Sequence, residues 1–578
     1  MIKNTLTILF LALTTIVYSQ ENSILFDGRT DDWKEQHSTV YDDSNEDGNS
    51  IELQTLRITN DKKDLYINFS LQEELLLNSD NDLTLYIDTD QNAETGYGIE
   101  NIGAELRWNF GERKGIYTPA DEQVYHNDIG FSSLPTVTSN NFELKISLQA
   151  KPDGTNKLFD GNAFNILLKS NDGGDAIPNE GEKFTYVIDE TLYNSYEPVD
   201  IARKTDSDIR VMSYNVLHDG IMKPERQPHF ERIFKAVEPD VIVFNECWDT
   251  RAVDIRNFLN DALPLEEGKQ WHAVKKDAGN IIASRYWITD SWHVRDNMRL
   301  TGALIDLPDS EYPRDMLMIG AHFRCCDAND NRQREADAFV EFVLDAKTEG
   351  GKIDLPEDTP IMMAGDLNLV GYSQQLKTIL TGEIINTGTF GEGGAMDWDG
   401  SDLKDVISFH TDNPYAYTWI DNESSYWPGR LDFSIMTNSV GEVRNKFILE
   451  TSAMSQKRLE QYGLQQNDTR EASDHLPKVT DIQIYEDVAA SQEEFSSVQV
   501  LPNPSRKTIR VETGEIRFDS IRVIAAANGR LVMEKNIQSM DKGSYSLNVE
   551  EWESGVYILQ LSRKGLDNKF YKKVIVMD

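Results

Sequence analysis

Apolar runs in the middle of the chain alternate with stretches of helical periodicity, and this alternation restricts the fold more than any other feature. The spacing i, i+3, i+4, i+7 is filled by apolar residues twice, at Phe230, Ile233, Phe234 and Val237 and at Ala336, Phe339, Val340 and Val343. The intervening runs, such as 240–244 and 360–364, are apolar almost throughout, which is typical of strands covered on both faces. We therefore predict a layered α/β domain over residues 206–485.

The predicted strands of this domain end in polar residues that can bind a metal ion or act in catalysis. Their strand-end segments contain Asn215, Asn245-Glu246, His322, Gly365-Asp366-Leu367-Asn368, Asp432 and Asp474-His475. Sheets of this class gather strand ends along one edge, so we expect these side chains in a single cleft. Carboxylate, amide and imidazole groups in one cleft can hold a hard cation and a phosphate.

In this order and at these spacings, the six segments resemble the endonuclease/exonuclease/phosphatase superfamily. The resemblance implies a four-layer α/β/β/α sandwich that hydrolyses phosphodiester bonds with Mg²⁺ or Mn²⁺. It implies that Asn215 and Glu246 hold the metal, and that Asp474 contributes at the same or a second metal position.

The same resemblance implies roles for five catalytic residues. Asp366 orients or deprotonates the attacking water, and Asn368 positions that water and stabilises the phosphoryl oxygens. His322 donates to the phosphate, as does His475 once Asp432 polarises it. The general base stays open between Asp366 and the pair of His475 with Asp432.

The substrate also stays open. Nucleic acid is the first candidate, and a phospholipid headgroup, as for a phospholipase C or sphingomyelinase, is the second. The insertion Arg324-Cys325-Cys326-Asp327 resembles secreted bacterial members, and no dense track of Lys and Arg accompanies the site, which argues against a dedicated DNA-repair role. His218 is a further candidate for the lining of the cleft. Five tryptophans are stacking candidates for which packing is the favoured interpretation: Trp248, Trp287, Trp398, Trp419 and Trp427.

The net charge argues against a protein that binds nucleic acid through a broad basic surface. The formal net charge is -41, from 98 acidic and 57 basic residues. This balance is the opposite of the broad basic surface on which electrostatic nucleic-acid binding depends. Bound divalent cations can reverse the field in one cleft, so we expect any affinity for polyanions to depend on metal.

The beginning of the sequence has the parts of a cleavable signal peptide. Lys3 precedes an apolar run from Leu6 to Tyr18, and Ser19 follows it. The run is shorter than the roughly 20 apolar residues of a membrane-spanning helix. We predict that residues 1–19 are removed and that the chain is exported without a stable membrane span.

Residues 22–190 show the period-two alternation of a β-sandwich. The segments Phe26-Asp27-Gly28 and Asp31-Asp32-Trp33, with Tyr86 to Asn92 and Thr95-Gly96-Tyr97, resemble family 9 carbohydrate-binding modules and imply a glycan partner. Asp88, Asp90 and Asn92 alternate like the first ligands of a calcium loop, but Ala93 and Ile99 replace the glycine and glutamate of an EF-hand. A solvated turn is the favoured interpretation, and a Ca²⁺ site is the alternative. A surface glycan-binding protein without catalysis is the third alternative for the whole chain.

Residues 497–578 form the last predicted domain, which is small and all-β. Leu501-Pro502-Asn503-Pro504, a hairpin turn at Asn528-Gly529 and strands at 555–559 and 572–576 resemble the C-terminal sorting domain of the type IX secretion system. The resemblance implies that the type IX machinery is a partner and that the protein is secreted or held at the cell surface.

The three cysteines are Cys247, Cys325 and Cys326. Adjacent cysteines rarely bridge each other comfortably, so one interpretation joins Cys247 to a member of the pair by a disulfide. The alternative is three buried, reduced thiols.

Overall fold

The computed structural model describes residues 20–22, 24–34, 38–43, 50–171, 174–485, 499–503, 505–512, 520–525, 530–536, 544–550, 552, 554–563 and 566–577. The predicted signal peptide, Pro504 and the predicted turn at Asn528-Gly529 lie outside these residues. The chain divides into two compact units, Met1–Ile484 and Tyr485–Asp578.

The first part of unit 1 is a pair of packed sheets. Its elements are β1 (Gln20–Asn22), β2 (Thr39–Asp42), β3 (Leu53–Asn60), β4 (Asp64–Leu75), β5 (Leu83–Asp88), β6 (Tyr97–Ile99), β7 (Ile102–Ala104), β8 (Leu106–Asn109), β9 (Lys114–Tyr117), β10 (Glu122–Val124), α1 (His126–Ile129), β11 (Ser132–Leu134), β12 (Ser139–Ser147), β13 (Ala163–Ser170), β14 (Ala176–Ile177), β15 (Phe184–Val187) and β16 (Leu192–Asn194). One sheet has the order β10-β9-β8-β5-β13-β14, with β15 also on β13, and the other β11-β12-β4-β3-β2. Phe69 from one sheet and Trp108 and Phe164 from the other fill a common core. The predicted β-rich N-terminal region is confirmed.

The proposed calcium loop of this region is closed by its own hydrogen bonds. Asp88 Oδ1 and Asp90 Oδ1 accept from the backbone N–H of Asn92, at 3.2 and 2.9 Å. Asp88 Oδ2 accepts from Asn165 Nδ2 at 2.9 Å. Carboxylate oxygens of Asp88, Asp90 and Glu105 lie within 4.8 Å of one another. The third carboxylate beside Asp88 and Asp90 is thus that of Glu105, which lies between β7 and β8. In an EF-hand it would be a glutamate at position 99.

The second part of unit 1 alternates strands with helices. Its elements are β17 (Ile209–Asn215), α2 (Gln227–Val237), β18 (Val241–Asn245), α3 (Ala252–Ala262), β19 (His272–Val274), β20 (Ile281–Ser284), β21 (Trp287–His293), β22 (Leu300–Asp306), β23 (Met316–His322), α4 (Asn329–Ala346), β24 (Ile361–Asp366), α5 (Gln374–Thr381), α6 (Thr387–Phe390), β25 (Lys404–Asp405), β26 (Asp432–Met436), β27 (Gly441–Ile448), α7 (Gln456–Tyr462), α8 (Asp468–Ala472) and β28 (Lys478–Ile484). The two amphipathic stretches of the sequence lie in α2 and α4, as predicted. Among the described residues, no helix combines the length and apolar character needed to cross a membrane.

Two six-stranded sheets share an inner core in this part. Their strand orders are β19-β20-β18-β17-β28-β27 and β21-β22-β23-β24-β26-β25. Val211 and Val243 of the first sheet meet Met318 and Ala364 of the second. Because successive strand residues point to opposite faces, Met212 faces away from this core and packs with α2 and α3. Helices α4, α5 and α6 pack in the same way on the outer face of the second sheet.

Unit 2 is all-β, as predicted. Its strands are β29 (Gln499–Leu501), β30 (Thr508–Glu512), β31 (Ser520–Ala525), β32 (Leu531–Asn536), β33 (Ser544–Asn548), β34 (Gly555–Arg563) and β35 (Leu566–Val576). They form the sheets β29-β30-β33 and β32-β31-β34-β35. Ile509, Val523 and Leu559 are members of its core. The antiparallel pairing of β31 with β32 flanks the position predicted for the hairpin turn.

Candidate active site

Strand register in the second sheet places three of the predicted site residues side by side. Strands β23 and β24 end at His322 and Asp366, and β26 begins at Asp432. His322 is the register partner of Asp366, and Asp366 is the register partner of Asp432. All three are almost fully buried. The sheet therefore delivers an imidazole and two carboxylates to one point at its edge.

Amide side chains of the first sheet join this edge to the second sheet. Asn215 Nδ2 donates to Asp366 Oδ2 at 3.1 Å and to Glu246 Oε1 at 3.2 Å. Asn245 accepts from the backbone N–H of Asp366 at 3.1 Å and donates to the carbonyl oxygen of Ala321 at 3.0 Å. Asn245 lies in a predicted strand-end segment but was given no role, because its place before Glu246 gives no sign of a contact across the sheets.

The Asp366 carboxylate lies between two imidazoles. Its Oδ2 is 3.6 Å from His322 Nε2 and 3.7 Å from His475 Nε2. The other ring nitrogen of His475, Nδ1, is 2.8 Å from Asp432 Oδ2. The structure thus brings together the predicted His475–Asp432 pair, Asp366 and His322 in one chain of polar contacts.

Burial and charge act differently on these groups. The burial of His475, which alone lowers its pKa, is outweighed by the carboxylates of Asp432 and Asp366, and the pKa of His475 is raised to about 10. Burial raises the pKa of Asp366 above its usual range, although the His475 charge opposes this. Burial and then the Arg299 charge lower the pKa of His322. These shifts favour the imidazolium form of His475 and the neutral form of His322.

Asn368 holds the Asp366 carboxylate in place. Its backbone N–H donates to Asp366 Oδ1 at 3.0 Å, and its Nδ2 donates to Asp366 Oδ2 at 3.0 Å. The same Nδ2 donates to the carbonyl oxygen of Phe323 at 3.1 Å. Asp366 therefore accepts hydrogen bonds on both oxygens, and its orientation is fixed.

Left-handed backbone is concentrated around Glu246. Glu246 has φ 59°, and Leu217, His218 and Asp219 have φ 47°, 51° and 57°. Asn368 has φ 45°. Residues other than glycine rarely adopt this conformation, and such strain is found preferentially at functional sites. Here it directs the backbone N–H of His218 to Glu246 Oε2 at 2.9 Å, so His218 contributes its backbone more than its exposed side chain.

Asp474 joins the predicted metal ligands through Ser473. The Ser473 hydroxyl lies 2.8 Å from the carbonyl oxygen of Asn215 and 3.3 Å from Asp474 Oδ1. Asp474 Oδ2 accepts from Trp419 Nε1 at 2.9 Å. Asn215, Glu246 and Asp474 supply amide and carboxylate oxygens, which are the donors that suit Mg²⁺ or Mn²⁺. The residues present therefore fit the predicted ion in the type of donor that they offer.

A cavity of about 670 Å³ lies next to Trp248 and Arg299, two neighbours of His322, and none of the predicted site residues lines it. Its lining includes Trp248, Arg299 and Arg324. The Trp248 ring centroid is 5.5 Å from that of His322, and the Arg299 guanidinium lies 5.5 Å from the Trp248 ring. Arg299 Nη1 is 3.3 Å from His322 Nδ1. Arg299 could not be recognised from the sequence, because it precedes a strand and belongs to no strand-end motif.

Trp427 packs the second part of unit 1 against the N-terminal sandwich. Trp427 is 5% exposed and belongs to the sandwich core, where its ring centroid is 5.2 Å from that of Phe131. The Thr136 hydroxyl of the sandwich donates to the carbonyl oxygen of Leu369, next to Asn368, at 2.6 Å. The packing interpretation of Trp427 is thus correct, and the packing crosses between the two parts of unit 1.

We expect Trp427→Ala to loosen the segment that carries Trp419. Loss of a buried tryptophan lowers the free energy of unfolding by about 3–5 kcal/mol. Denaturant unfolding measures this effect, and the midpoint should fall. Tyr426→Ala is the matched control, because Tyr426 is 41% exposed. Equal stability of the two variants would show that Trp427 does not hold this segment against the sandwich.

Histidines outside the motifs make packing and surface contacts. These contacts are His229 with Asp468, His272 with Trp287, His293 with Met298 and His410 with Tyr417. The predicted disulfide of Cys247 is not formed, and the alternative of three buried, reduced thiols is correct in full only for Cys247. Cys247 is free and buried, whereas Cys325 and Cys326 are exposed. The thiol of Cys247 lies in the core between the first sheet and its helices, so a disulfide to the exposed pair is not formed.

Two parts of the chain match known families. Residues 212–475 match the Endonuclease/Exonuclease/phosphatase family, and residues 499–577 match the Secretion system C-terminal sorting domain. The middle domain therefore belongs to the Endonuclease/Exonuclease/phosphatase family, whose members are metal-dependent phosphoric ester hydrolases. The C-terminal domain is a sorting domain that directs the protein through type IX secretion to the cell surface or the extracellular space.

Solved structures with similarity to about half of the chain include the following three. The human Nocturnin catalytic domain is 17% identical, with a TM-score of 0.30, and the match covers 49% of this chain and 96% of that one. D. rerio TDP2 in complex with a single-strand DNA product is 16% identical, with a TM-score of 0.31 and coverage of 48% and 99%. Sphingomyelinase C from Streptomyces griseocarneus is 17% identical, with a TM-score of 0.29 and coverage of 47% and 99%. A search of curated proteins gave no match.

Proposed function

We propose that the protein is an extracellular phosphodiesterase that depends on a divalent metal, with nucleic acid as its substrate class. The observation that carries the proposal is the convergence of six separate strand-end segments into one network of buried polar contacts. Asp366 lies at its centre, in contact with Asn215 of the opposite sheet and close to His322 and His475. Buried, perturbed ionisable groups that meet in this way are concentrated at catalytic sites.

We further propose that the catalytic domain is a four-layer α/β/β/α sandwich. Support comes from the apolar core between its two sheets and from the helices that pack on each outer face. In this arrangement the site lies at the strand ends along one edge of both sheets.

Asn215, Glu246 and Asp474 would hold Mg²⁺ or Mn²⁺. When bound, such an ion neutralises charge on the phosphoryl oxygens and polarises the phosphorus for attack. Glu246 Oε1 already lies beside Asn215, and the strained turn that carries His218 fixes Glu246 Oε2. These contacts limit the movement of the carboxylate before any ion enters.

The remaining site residues handle protons and charge. Asp366 would accept the proton of the attacking water. Its raised pKa lies nearer to neutral pH, and this makes the carboxylate a stronger base. Asn368 holds both oxygens of that carboxylate. His475, kept cationic by Asp432, would donate to a phosphoryl oxygen, and the neutral His322 would donate from one ring nitrogen. This division of roles favours Asp366 as the general base.

The cavity next to Trp248 and Arg299 supports a nucleic-acid substrate. Trp248 offers a face on which a base can stack, and Arg299 and Arg324 offer positive charge for a neighbouring phosphate. A phospholipid headgroup, the second candidate, would use the cations but not the stacking face. The glycan partner and the Ca²⁺ ion of the N-terminal region stay predictions, to which the contacts described above add no support.

The substrate class is tested with the full chain on plasmid DNA, RNA, sphingomyelin vesicles and bis(p-nitrophenyl) phosphate, each with Mg²⁺, Mn²⁺ or EDTA. We expect metal-dependent cleavage of the nucleic acids and the aryl diester. Cleavage of the vesicles alone would replace nucleic acid by the phospholipid class. Inactivity on all four substrates would contradict the proposed function and favour the binding protein without catalysis.

Trp248→Ala should separate long from small substrates. Stacking of one base contributes about 1–3 kcal/mol, so we expect kcat/KM on an oligonucleotide to fall by about 5- to 150-fold. Hydrolysis of bis(p-nitrophenyl) phosphate, which needs no stacking platform, should change little. Trp287→Ala is the control, because Trp287 is 58% exposed and lies outside the cavity lining. A similar loss on both substrates would assign Trp248 to support of His322 rather than to substrate binding.

A further inference from the structure

The turn that follows His322 carries two adjacent thiols in contact. Cys325 Sγ and Cys326 Sγ are 2.6 Å apart, and both residues are exposed. Cys326 has φ 65°, in the left-handed region. Two adjacent side chains in a regular strand point to opposite faces, so this conformation of the turn is what brings the sulfurs together.

Two buried side chains of α4 hold the backbone of this turn in place by hydrogen bonds. Arg332 is fully buried, and its Nη1 donates to the carbonyl oxygens of Arg324 and Cys326 at 2.7 and 2.8 Å. Glu335 Oε2 accepts from the backbone N–H of Arg324 at 2.9 Å. A buried guanidinium that loses its acceptors is left without compensation for its charge, so the turn resists rearrangement. The two thiols are therefore held near each other before any reaction.

We propose that Cys325 and Cys326 form a disulfide with each other in the exported protein. The two thiols lose two protons and two electrons as one S–S bond forms. A low-molecular-weight disulfide, or the disulfide of a thiol oxidoreductase, accepts them and is reduced to two thiols. The reaction requires no movement of Cys247, which stays a free thiol in the core.

The location of the protein and the position of the pair both favour this bond. The sorting domain directs the chain to the cell surface or beyond, where disulfides persist. Oxidant can reach the exposed pair but not buried Cys247. Adjacent Cα atoms are about 3.8 Å apart, closer than the usual disulfide spacing of about 4.4–6.8 Å. The bond should therefore be strained and open under mild reduction, as labile regulatory disulfides do.

The disulfide would set one wall of the cavity next to Trp248 and Arg299. Cys325 and Arg324 both line that cavity. A disulfide between Cys325 and Cys326 would restrict the backbone next to Arg324. It would therefore restrict the position of the Arg324 side chain in the cavity. The modification does not depend on the proposed phosphodiesterase activity, because its thiol count is measured without any substrate.

The test is a thiol count on the full chain. The protein is incubated with oxidised glutathione, unfolded in guanidinium at acid pH, alkylated and analysed as intact mass and peptides. We expect one alkylated residue, Cys247, and a peptide containing Cys325 and Cys326 that is unmodified and two hydrogens lighter. After a phosphine reductant, all three cysteines should be alkylated. Three alkylated cysteines after oxidation, glutathione bound to either thiol, a disulfide that includes Cys247, or a covalent dimer would each overturn the proposal.

Two variants sharpen the count. Cys247→Ala should leave no alkylated residue and the same light peptide. Cys325→Ser should leave Cys247 alkylated and Cys326 as a mixed disulfide with glutathione, because no second thiol is present to displace the glutathione. A disulfide between Cys326 and Cys247 in this variant would show that the pairing is wrong.

Hydrogen exchange tests the effect on the cavity wall. In the oxidised protein, backbone amides from Arg324 to Ala328 should exchange several-fold more slowly than after reduction. Amides of α2, on the far side of the other sheet, should be unchanged. Equal exchange of the turn in both states would show that the bond does not hold the wall, whatever the activity of the enzyme.

Discussion

Asp366→Asn is expected to lower kcat on any phosphodiester that the protein hydrolyses by about 10²–10⁴-fold, with a much smaller change in KM. The asparagine keeps the size of the side chain but removes the group that accepts the proton of water. Asp366 also lies between His322 and His475, so the change removes one of the two carboxylates that hold the charge on His475. The loss should therefore appear in the chemical step.

Initial rates on bis(p-nitrophenyl) phosphate measure this effect, with circular dichroism to check that the variant is folded. Asp399→Asn is the control, because Asp399 is an exposed aspartate away from the site. A folded Asp366→Asn variant that retains a tenth or more of the wild-type kcat would remove Asp366 from the role of general base. The His475–Asp432 pair would then be the remaining candidate for that role.

Glu246→Gln is expected to raise the Mg²⁺ concentration that gives half-maximal rate by at least about tenfold, since even indirect partners of metal ligands contribute about 10–100-fold to affinity. The amide cannot supply the full negative charge of the carboxylate. It also places a donor where Glu246 Oε1 and Oε2 now accept from Asn215 and from the backbone of His218.

A metal titration of activity measures this shift, and high Mg²⁺ should restore part of the rate. Glu225→Gln serves as the control, since Glu225 is exposed in the neighbouring turn. An unchanged metal requirement would show that Glu246 is not a ligand. Complete loss of activity at every metal concentration, with the fold intact, would assign it a role in the reaction beyond holding the ion.

The sequence predicts the position of the site well because one physical rule governs it. Strands covered on both faces are recognisable from apolar runs, and their ends must meet at an edge of a sheet. Asn215, His322, Asp366 and Asp432 are therefore found from the runs that they end or begin. The helices α2 and α4 follow from apolar spacing in the same way.

Contacts that depend on packing between sheets or domains could not be predicted. Asn245 bridges the two sheets, but a polar residue at a strand end does not reveal its partner. Trp427 belongs by sequence to the catalytic part and by packing to the sandwich core. Cys325 and Cys326 meet because buried Arg332 holds their turn, a cause that lies six or seven residues further along the chain.

The central claim is hydrolysis of a phosphodiester that requires a divalent ion at the edge shared by the two sheets. The most direct measurement follows nitrophenol release from bis(p-nitrophenyl) phosphate by the full chain, first in EDTA and then after excess Mg²⁺ or Mn²⁺ is added. The structure predicts no release above background in EDTA and restoration of release when the ion is added. The same rate in EDTA as in Mg²⁺, or no release with either ion, would contradict the claim.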